Sequence, residues 1–483
     1  MIDLASQQLG GRVLDANDEF FAPKENLVKV SDPVFMEGRY TDRGKWMDGW
    51  ETRRRRRPGH DWCLVRLGLP GIVNQVVVDT SHFKGNYPQA CSLEACSVTE
   101  SATPSELLHP SNPWCELLPR ADLQGDARNQ FPVGSPYRFT HLRLNIFPDG
   151  GVARLRVLGE AVPDWGGKRS EDEMDLAAMA SGGSVVACSD MFFSSPHHLL
   201  LPGEPREMRD GWETRRRRGP GHDWVTIRLG AGGTIERVVV DTSHFKGNAP
   251  AGCSVEVADS QAGPWRTLLP EVELRPHTRH QFSDALVAPS MARYARLNIF
   301  PDGGVSRLRL FGRLDPQLWP QLRLRWLNAL PPPNAEQVLL ACCGSEQWAR
   351  RVVDRRPLQT VPALLRQAEQ IWWDLDPADW RQAFTAHPQI GERGEDRWSS
   401  QEQAGTHGAP ARTLAELSAA NRAYQERFGH IFIVCASGRS ADQMLAELRQ
   451  RLHNEPEKEL EVAAEEQRKI TRLRLQKLLG AEP

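Results

Sequence analysis

A cluster of charged and aromatic side chains occurs twice in this 483-residue chain. Asp48–Trp62 and Asp210–Trp224 differ at a single position, Arg57 against Gly219. Each copy holds a tryptophan, a glutamate, a run of arginines and a His-Asp pair. Arginine binds carboxylate and carbonyl oxygens, a carboxylate accepts hydrogen bonds from N–H groups, and imidazole transfers protons near neutral pH. These residue types indicate a site for a small, polar, anionic substrate.

Two further pairs of segments follow in the same order. Val76–Asn86 matches Val238–Asn248, and Arg143–Gly151 matches Arg296–Gly304. Because the three pairs keep their order, they predict a duplicated domain rather than an array of small modules. Drift between the copies should have erased the shared Thr-Ser-His-Phe-Lys-Gly-Asn portion unless it belongs to a site in use.

Two other interpretations of the repeated residues stay open at this point. His60, Asp61 and their counterparts His222 and Asp223 could fix loops around tryptophans in the core, because buried polar networks also stabilise folds. An Asp-x-x-His pair could instead bind a metal ion through a carboxylate and an imidazole. The pairs with that spacing are Asp79 with His82 and Asp241 with His244. The spacing fixes no third ligand, so we predict no metal site.

Length and composition set the broad class. A chain of 483 residues predicts about three domains at roughly 150 residues each. A net charge of -2 argues against a nucleic-acid surface despite the arginine runs. The nine cysteines have no C-x-x-C spacing, which is typical of a reducing compartment. No charged-then-apolar leader opens the sequence and no run of 18 apolar residues occurs. We expect a cytoplasmic protein that binds neither membrane nor nucleic acid.

The elements that must position these residues differ along the chain. Val73–Asp79 and Ile235–Asp241 are short β-branched runs bounded by Gly, Pro and Asn, which predicts an antiparallel sandwich in each repeat. Leu142–Phe147 predicts a strand that enters the tight turn Pro148–Gly151, where glycine supplies a positive φ. The predicted domains are 1–170, 171–320 and 321–483.

The last third of the chain carries helix signals. Leu414, Leu417, Tyr424 and Phe428 form one helical stripe. Ser440–Gln443 predicts a capping box, and Gly480 predicts the end of a final helix. This part is therefore predicted to be an all-α bundle.

The duplicated motifs resemble those of allantoicase. The resemblance covers about two-thirds of the chain and implies two tandem all-β jelly-roll sandwiches of the galactose-binding type. It further implies the hydrolysis of allantoate to ureidoglycolate and urea, and we expect no cofactor for this reaction. Tyr87-Pro88 stands where the second repeat has Ala249-Pro250, which leaves open whether each repeat is active or one pocket forms between them. The candidate residues are Arg53, Arg54, Lys84, Arg215, Arg216 and Lys246 for substrate oxygens, Glu51 and Glu213 for N–H groups, and His60, His82, His222 and His244 for proton transfer.

Three segments of the helical part resemble the signature segments of 2-oxo-4-hydroxy-4-carboxy-5-ureidoimidazoline (OHCU) decarboxylase. They are Ala386–Gly391, Trp398–Gly405 and Ile431–Ser440. The resemblance implies loss of CO2 to give (S)-allantoin, with His387 as proton donor, Glu402 orienting either His387 or the substrate, and Arg439 pairing with the ring or carboxylate oxygens of the substrate. The substrate has its own electron sink, so no cofactor is expected. The pocket residues that the resemblance implies are Pro388, Ser399, Ser400, Gln401, Gln403, Ile433, Val434, Cys435, Ala436, Ser437 and Gly438.

Together these patterns predict a bifunctional enzyme of urate catabolism whose two reactions are not consecutive. A separate allantoinase must open allantoin to allantoate between them, so association with that enzyme is a hypothesis. A homo-oligomer is expected, as is usual for soluble enzymes. The alternative is a ligand- or carbohydrate-binding sandwich pair that serves as a scaffold for an active decarboxylase only.

Overall fold

The computed structural model describes residues 1–287, 291–387 and 410–481. Contacts between residues divide the chain into two compact units. The first unit comprises Met1–Trp319 with Ala329–Pro331 and contains both repeats. The second comprises Pro320–Asn328 and Pro332–Pro483.

The first repeat is built mainly of antiparallel strands, with one short α-helix, α1 (Pro104–Leu107), and two 3-10 helices, Gln7–Leu9 and Lys24–Val28. Its strands are β1 (Ile2–Asp3), β2 (Arg12–Ala16), β3 (Tyr40–Thr41), β4 (Gly44–Lys45), β5 (Trp50–Glu51), β6 (Asp61–Asp79), β7 (Ala90–Cys96), β8 (Cys115–Asp122), β9 (Arg128–Pro132), β10 (Arg138–Phe147), β11 (Gly151–Val152) and β12 (Arg154–Ala161).

The second repeat has the same order of main strands. They are β13 (Met174–Asp175), β14 (Ser184–Cys188), β15 (Trp212–Glu213), β16 (Asp223–Asp241), β17 (Gly252–Ala258), β18 (Arg266–Glu273), β19 (Arg279–Phe282), β20 (Met291–Phe300), β21 (Gly304–Val305) and β22 (Arg307–Leu314). The order β1-β12-β6-β10-β7-β8 in the first repeat corresponds to β13-β22-β16-β20-β17-β18 in the second. The predicted antiparallel sandwich is confirmed in both repeats.

Strand β6 differs from its prediction. The sequence predicts a short strand from Val73, but one strand of 19 residues runs through Gly68, Pro70 and Gly71. Its first part pairs with β2 and β10, and its second part pairs with β12 and β9. The register of the pairing between β6 and β10 shifts between Phe139 and His141 on β10, where β6 begins to pair with β12. The glycines and proline therefore bend a continuous strand instead of ending it, as bulges do.

The repeated turn after β10 shows why its glycines recur. Gly150 has φ 137°, which confirms the predicted positive φ. A Cβ atom on Gly151 would lie 2.0 Å from the ring of Phe83, which is fully buried. Gly304 and Phe245 repeat this contact at 2.0 Å. Close packing therefore explains part of the sequence identity between the two repeats.

The second unit contains the predicted helices. They are α2 (Trp319–Ala329), α3 (Pro332–Cys343), α4 (Glu346–Asp354), α5 (Val361–Trp373), α6 (Pro377–Thr385), α7 (Ala411–Phe428), α8 (Ala441–Arg451) and α9 (Pro456–Leu479).

The caps of these helices match their sequence signals. Ser440 and Gln443 form the predicted capping box at the start of α8. Gly480 adopts the left-handed conformation after α9. The predicted helical stripe is also present, since Leu417 and Tyr424 are buried on α7. Across the described residues, every helix is too short or too polar to span a bilayer.

Candidate active sites

Four chain segments meet at one end of the first repeat, and we call this arrangement the loop cluster: residues 17–22, 50–61, 84–88 and 145–151. The backbone N–H of Thr52 donates to the carbonyl of Gly150 at 3.1 Å. The backbone N–H of Arg55 donates to the Asp149 carboxylate at 2.9 Å. The Asn86 side chain donates to Glu51 at 2.7 Å. The loop cluster thus brings the arginine run against residues from distant parts of the sequence.

The arginine run alternates between paired and unpaired side chains. Arg53 lies 2.6 Å from the Asp18 carboxylate, and Arg55 lies 2.5 Å from Asp61. Asp61 is 1% exposed and also accepts a hydrogen bond from Asn17 at 2.9 Å. Arg54 is exposed, and among the described residues its side chain has no ion pair. Arg54 is therefore a cation free to meet a substrate, whereas Arg53 and Arg55 are already neutralised.

The second repeat reproduces this arrangement. Arg215 lies 3.1 Å from Asp190, and Arg217 lies 2.5 Å from Asp223. The exposed Arg216 again has no ion pair within the part of the chain that the structure describes. A cavity of about 290 Å³ lies beside these side chains. Its lining consists of Ser189, Asp190, Arg215, Arg216, Arg217, Arg218, Gly219 and Asp223.

Glu51 is a half-buried carboxylate. It belongs to β5, which pairs with β11 next to the glycine turn. Burial raises the pKa of Glu51, and the hydrogen bond from Asn86 opposes that rise. Glu213 accepts the equivalent bond from Asn248 at 2.6 Å. Both repeats therefore hold a carboxylate that can accept N–H hydrogen bonds from a substrate.

The candidate histidines lie in two different surroundings. His60 packs against Phe147 at 4.9 Å between ring centroids, and His222 packs against Phe300 at 4.8 Å. His82 has a positive φ of 71°, and its Nε2 lies 3.2 Å from the carbonyl oxygen of Pro33.

His244 has the same φ, and its Nε2 lies 3.1 Å from the carbonyl oxygen of Pro205. In both repeats this ring nitrogen must donate its proton to the carbonyl. The second histidine of each repeat is thus held by the fold, and His60 and His222 are the better candidates for proton transfer.

The Asp-x-x-His pairs are used within the fold. Asp79 accepts the backbone N–H of Ser81 at 2.8 Å and lies 3.5 Å from Arg128. Among the residues described, no group of three His, Cys, Asp or Glu side chains is arranged to hold a metal ion.

The two repeats differ beside the second histidine. The backbone N–H of His82 donates to the Asp126 carboxylate at 2.7 Å, whereas that of His244 donates to Nδ1 of His277 at 2.8 Å. Lys84 lies 3.8 Å from Asp126 and is exposed. An imidazole nitrogen thus replaces a carboxylate oxygen as the acceptor in the second repeat, near the exposed Lys246.

The candidate decarboxylase site is described in part. His387 follows the end of α6, is half-buried, and donates its backbone N–H to the Phe384 carbonyl at 3.2 Å. Six of its predicted neighbours lie outside the described residues: Pro388, Ser399, Ser400, Gln401, Glu402 and Gln403.

The other part of this site is the segment from Ile433 to Arg439. The side chains of Val434 and Ala436 pack into the hydrophobic core with Leu417. Because these two side chains are buried in that core, Val434 and Ala436 offer a pocket their backbone only. Ser437 and Gly438 are exposed, and Cys435 is half-buried.

Arg439 is not free in the structure. It forms an ion pair with Glu447, and its Nη2 lies 3.7 Å from Glu466. The sequence predicted a partner on the substrate for this guanidinium. The structure shows the carboxylates that hold it in place.

Sequence reasoning missed several members of the loop cluster. Asp18, Asp149 and Asn86 bind the arginines or Glu51, and each has a counterpart in the second repeat. A signal was present for all three, because each lies in a segment that the two repeats share. Their hydrogen-bond roles depend on contacts between segments, which no local spacing fixes.

Comparison with known families identifies both parts of the chain. The allantoicase repeat model matches residues 2–162 and 174–315. The chain belongs to the allantoicase family. A second model, OHCU decarboxylase, matches residues 328–476. The two resemblances drawn from the motifs are confirmed, as is the order of two sandwiches followed by a helical domain.

Individual relatives agree with the family match. A probable allantoicase of Pseudomonas aeruginosa is 48% identical over 327 residues, which are 66% of this chain and 96% of that protein. A probable allantoicase of Burkholderia mallei is 46% identical over 324 residues, 65% of this chain and 95% of that protein. The crystal structure of allantoicase from Saccharomyces cerevisiae is similar with a TM-score of 0.55 and 33% identity, covering 64% of this chain and 92% of that one.

Proposed function

We propose that the chain is a bifunctional enzyme of purine catabolism, an allantoicase joined to an OHCU decarboxylase. The observation that carries the first activity is the loop cluster, which places a carboxylate, an amide and a free arginine together in both repeats. The family matches do not favour a pair of binding sandwiches that only supports the decarboxylase. The domain limits 1–170, 171–320 and 321–483 belong to this proposal.

The first reaction needs groups that bind a carboxylate and two ureido arms. One C–N bond at the central carbon of allantoate breaks, the oxygen of water bonds to that carbon, and the nitrogen leaves protonated as urea. Arg54 and Arg216 bind the substrate carboxylate because each is exposed, makes no ion pair among the described residues and lies between two arginines that are paired. Glu51 and Glu213 accept ureido N–H groups.

Proton transfer in that reaction is assigned to one histidine in each repeat. His60 and His222 transfer protons to and from the leaving nitrogen and the attacking water. His82 and His244 position the surrounding loops instead, since their Nε2 atoms already donate to backbone carbonyls. Each repeat holds its own set of groups, so we propose two sites per chain.

The test is urea release from allantoate by the purified chain, with and without a chelator. Urea in both conditions supports the assignment and the expectation of no metal. Loss of urea with the chelator contradicts that expectation. Absence of urea in both conditions refutes the allantoicase assignment.

The second reaction breaks the C–C bond to the substrate carboxylate, which leaves as CO2. The electron pair moves into the adjacent C=N group of the ring, whose nitrogen takes up a proton, and leaves an enol. The enol hydroxyl then loses its proton to become the carbonyl of allantoin, while His387 delivers a proton to the neighbouring, ureido-bearing carbon. Arg439 binds substrate oxygens, and Glu402 orients His387. We expect His387→Asn to stop the enzymatic formation of (S)-allantoin while urea release from allantoate continues, which provides an internal reference in the same chain. Unchanged formation of (S)-allantoin would refute this role.

Three further statements belong to the proposal. The chain forms a homo-oligomer in the cytoplasm, a location supported by its nine free cysteines. An allantoinase associates with it, since allantoin must be hydrolysed to allantoate between the two reactions. Gel filtration followed by a pull-down with an allantoinase tests both ideas, and a monomeric peak or an empty pull-down contradicts the corresponding one.

A further inference from the structure

Two buried side chains, those of Arg451 and Glu466, bind backbone groups of the segment from Ile433 to Arg439. The carbonyl oxygen of Ile433 accepts a hydrogen bond from Arg451 Nη1 at 2.9 Å. The backbone N–H of Cys435 donates to Glu466 Oε2 at 2.8 Å. Both contacts use backbone groups, so they fix the path of the segment whatever its side chains do.

Glu466 also contacts the candidate substrate-binding arginine. The Oε2 atom that accepts the Cys435 N–H lies 3.7 Å from Arg439 Nη2, and the other oxygen lies 2.6 Å from Lys469. Glu466 is 5% exposed. A buried carboxylate is stable only when charges and hydrogen-bond donors compensate it, and here one of the compensating charges is Arg439.

Arg451 is fixed by an equally buried set of groups. Glu459 is fully buried and lies 2.6 Å from Arg451, and the Tyr424 hydroxyl donates to the same carboxylate. Glu447 connects the two parts, because it pairs with Arg451 at 3.5 Å and also with Arg439. The network therefore runs from the core of the helical unit to the arginine.

We propose that Glu466 is a positioning residue for the decarboxylation. It sets the backbone of the segment through Cys435 and sets the direction of the Arg439 guanidinium, so that both are in place before substrate binds. The inference rests on the proposed decarboxylase activity and adds a residue outside the signature segments. Preorganisation of this kind affects mainly substrate binding.

Three substitutions at one position separate charge, reach and hydrogen bonding. Glu466→Gln keeps an oxygen that can accept the Cys435 N–H, so KM for OHCU should stay within about threefold of wild type. Glu466→Asp keeps the charge but is one methylene shorter, and Glu466→Ala removes both features. We expect these two to raise KM about tenfold with kcat within about threefold, the size expected for one lost charge-assisted hydrogen bond.

The matched control is Glu461→Ala on the same helix, where an exposed carboxylate has Lys458, at 2.9 Å, as its one ion-pair partner among the described residues. Its KM should equal that of wild type. The assay uses the full chain, freshly generated OHCU and detection of (S)-allantoin by circular dichroism, with thermal unfolding of every variant. If Glu466→Ala does not fold, the KM of Glu466→Asp compared with that of Glu466→Gln still tests the inference. A wild-type KM in Glu466→Asp overturns the inference, whereas an inactive wild-type chain overturns the proposed decarboxylase instead.

Discussion

Neighbouring arginines in the run should respond to alanine substitution in different ways. The first comparison is Arg54→Ala combined with Arg216→Ala, which removes one unpaired guanidinium from each repeat. A charge-assisted hydrogen bond contributes about 1.5–3 kcal/mol. Its loss should lower kcat/KM for allantoate about 10- to 100-fold. The melting temperature should not change, because these side chains are exposed and make no ion pair among the described residues.

The adjacent position supplies the matched control. Arg53 is 64% exposed in its pair with Asp18, and Asp18 also accepts the backbone N–H groups of Arg53 and Phe20. Exposed ion pairs contribute about 0.2–1 kcal/mol. Arg53→Ala with Arg215→Ala should therefore leave kcat/KM within about twofold of wild type and lower the melting temperature by only about 1–3 °C.

The third position should affect folding. Arg55→Ala leaves the Asp61 carboxylate, which is 1% exposed, without its guanidinium. Breaking a buried pair costs about 3 kcal/mol or more, which corresponds to a drop of about 6–12 °C for a domain of this size.

Urea release across a range of allantoate concentrations, together with thermal unfolding, measures all three cases. The reasoning is refuted if the substitutions at Arg53 and Arg215 reduce kcat/KM as much as those at Arg54 and Arg216.

Three more predictions follow from burial. Because burial raises the pKa of Glu51, urea release by the first repeat should fall with decreasing pH before an ordinary glutamate would be protonated. Glu51→Gln should remove that part of the pH dependence from the rate profile. Burial lowers the pKa of His141 to about 4. As pH falls from about 6.5 to 4, His141 is protonated in the unfolded chain but not in the folded one. Chemical denaturation should therefore show a free energy of unfolding that falls by up to about 1.4 kcal/mol per pH unit more than that of His141→Gln. Parallel plots of this free energy against pH for the two proteins contradict this. Gly151→Ala should lower the melting temperature by several degrees, since its Cβ would lie 2.0 Å from Phe83, and an unchanged melting temperature contradicts the packing argument.

The sequence predicts those features that depend on local chemistry. The capping box at Ser440, the end of α9 at Gly480 and the positive φ at Gly150 all follow from residues within a few positions of one another. Duplication also predicts two similar domains, because identical segments in the same order must occupy equivalent places.

Features that depend on distant contacts could not be predicted. The arginine run indicates ion pairs, but which arginine forms one depends on where the fold places Asp18 and Asp61. His82 has the residue type of a proton carrier, and only the approach of the Pro33 carbonyl shows that its Nε2 is already bonded. Val434 is similar, since its direction into the core follows from the packing of α7.

Strand β6 has a consequence for the newly made chain. It is the only strand among the described residues of the first repeat that pairs with four others, and its partner β12 is synthesised last. Roughly 80 residues separate the ends of β6 and β12, so at about 5–20 residues per second the ribosome delays this pairing by about 4–16 s. During that time an apolar strand has unpaired edges, and the second repeat then passes through the same stage. Strands in this condition are prone to aggregate, so we expect the yield of soluble protein to depend on translation rate and on chaperones that bind extended apolar segments.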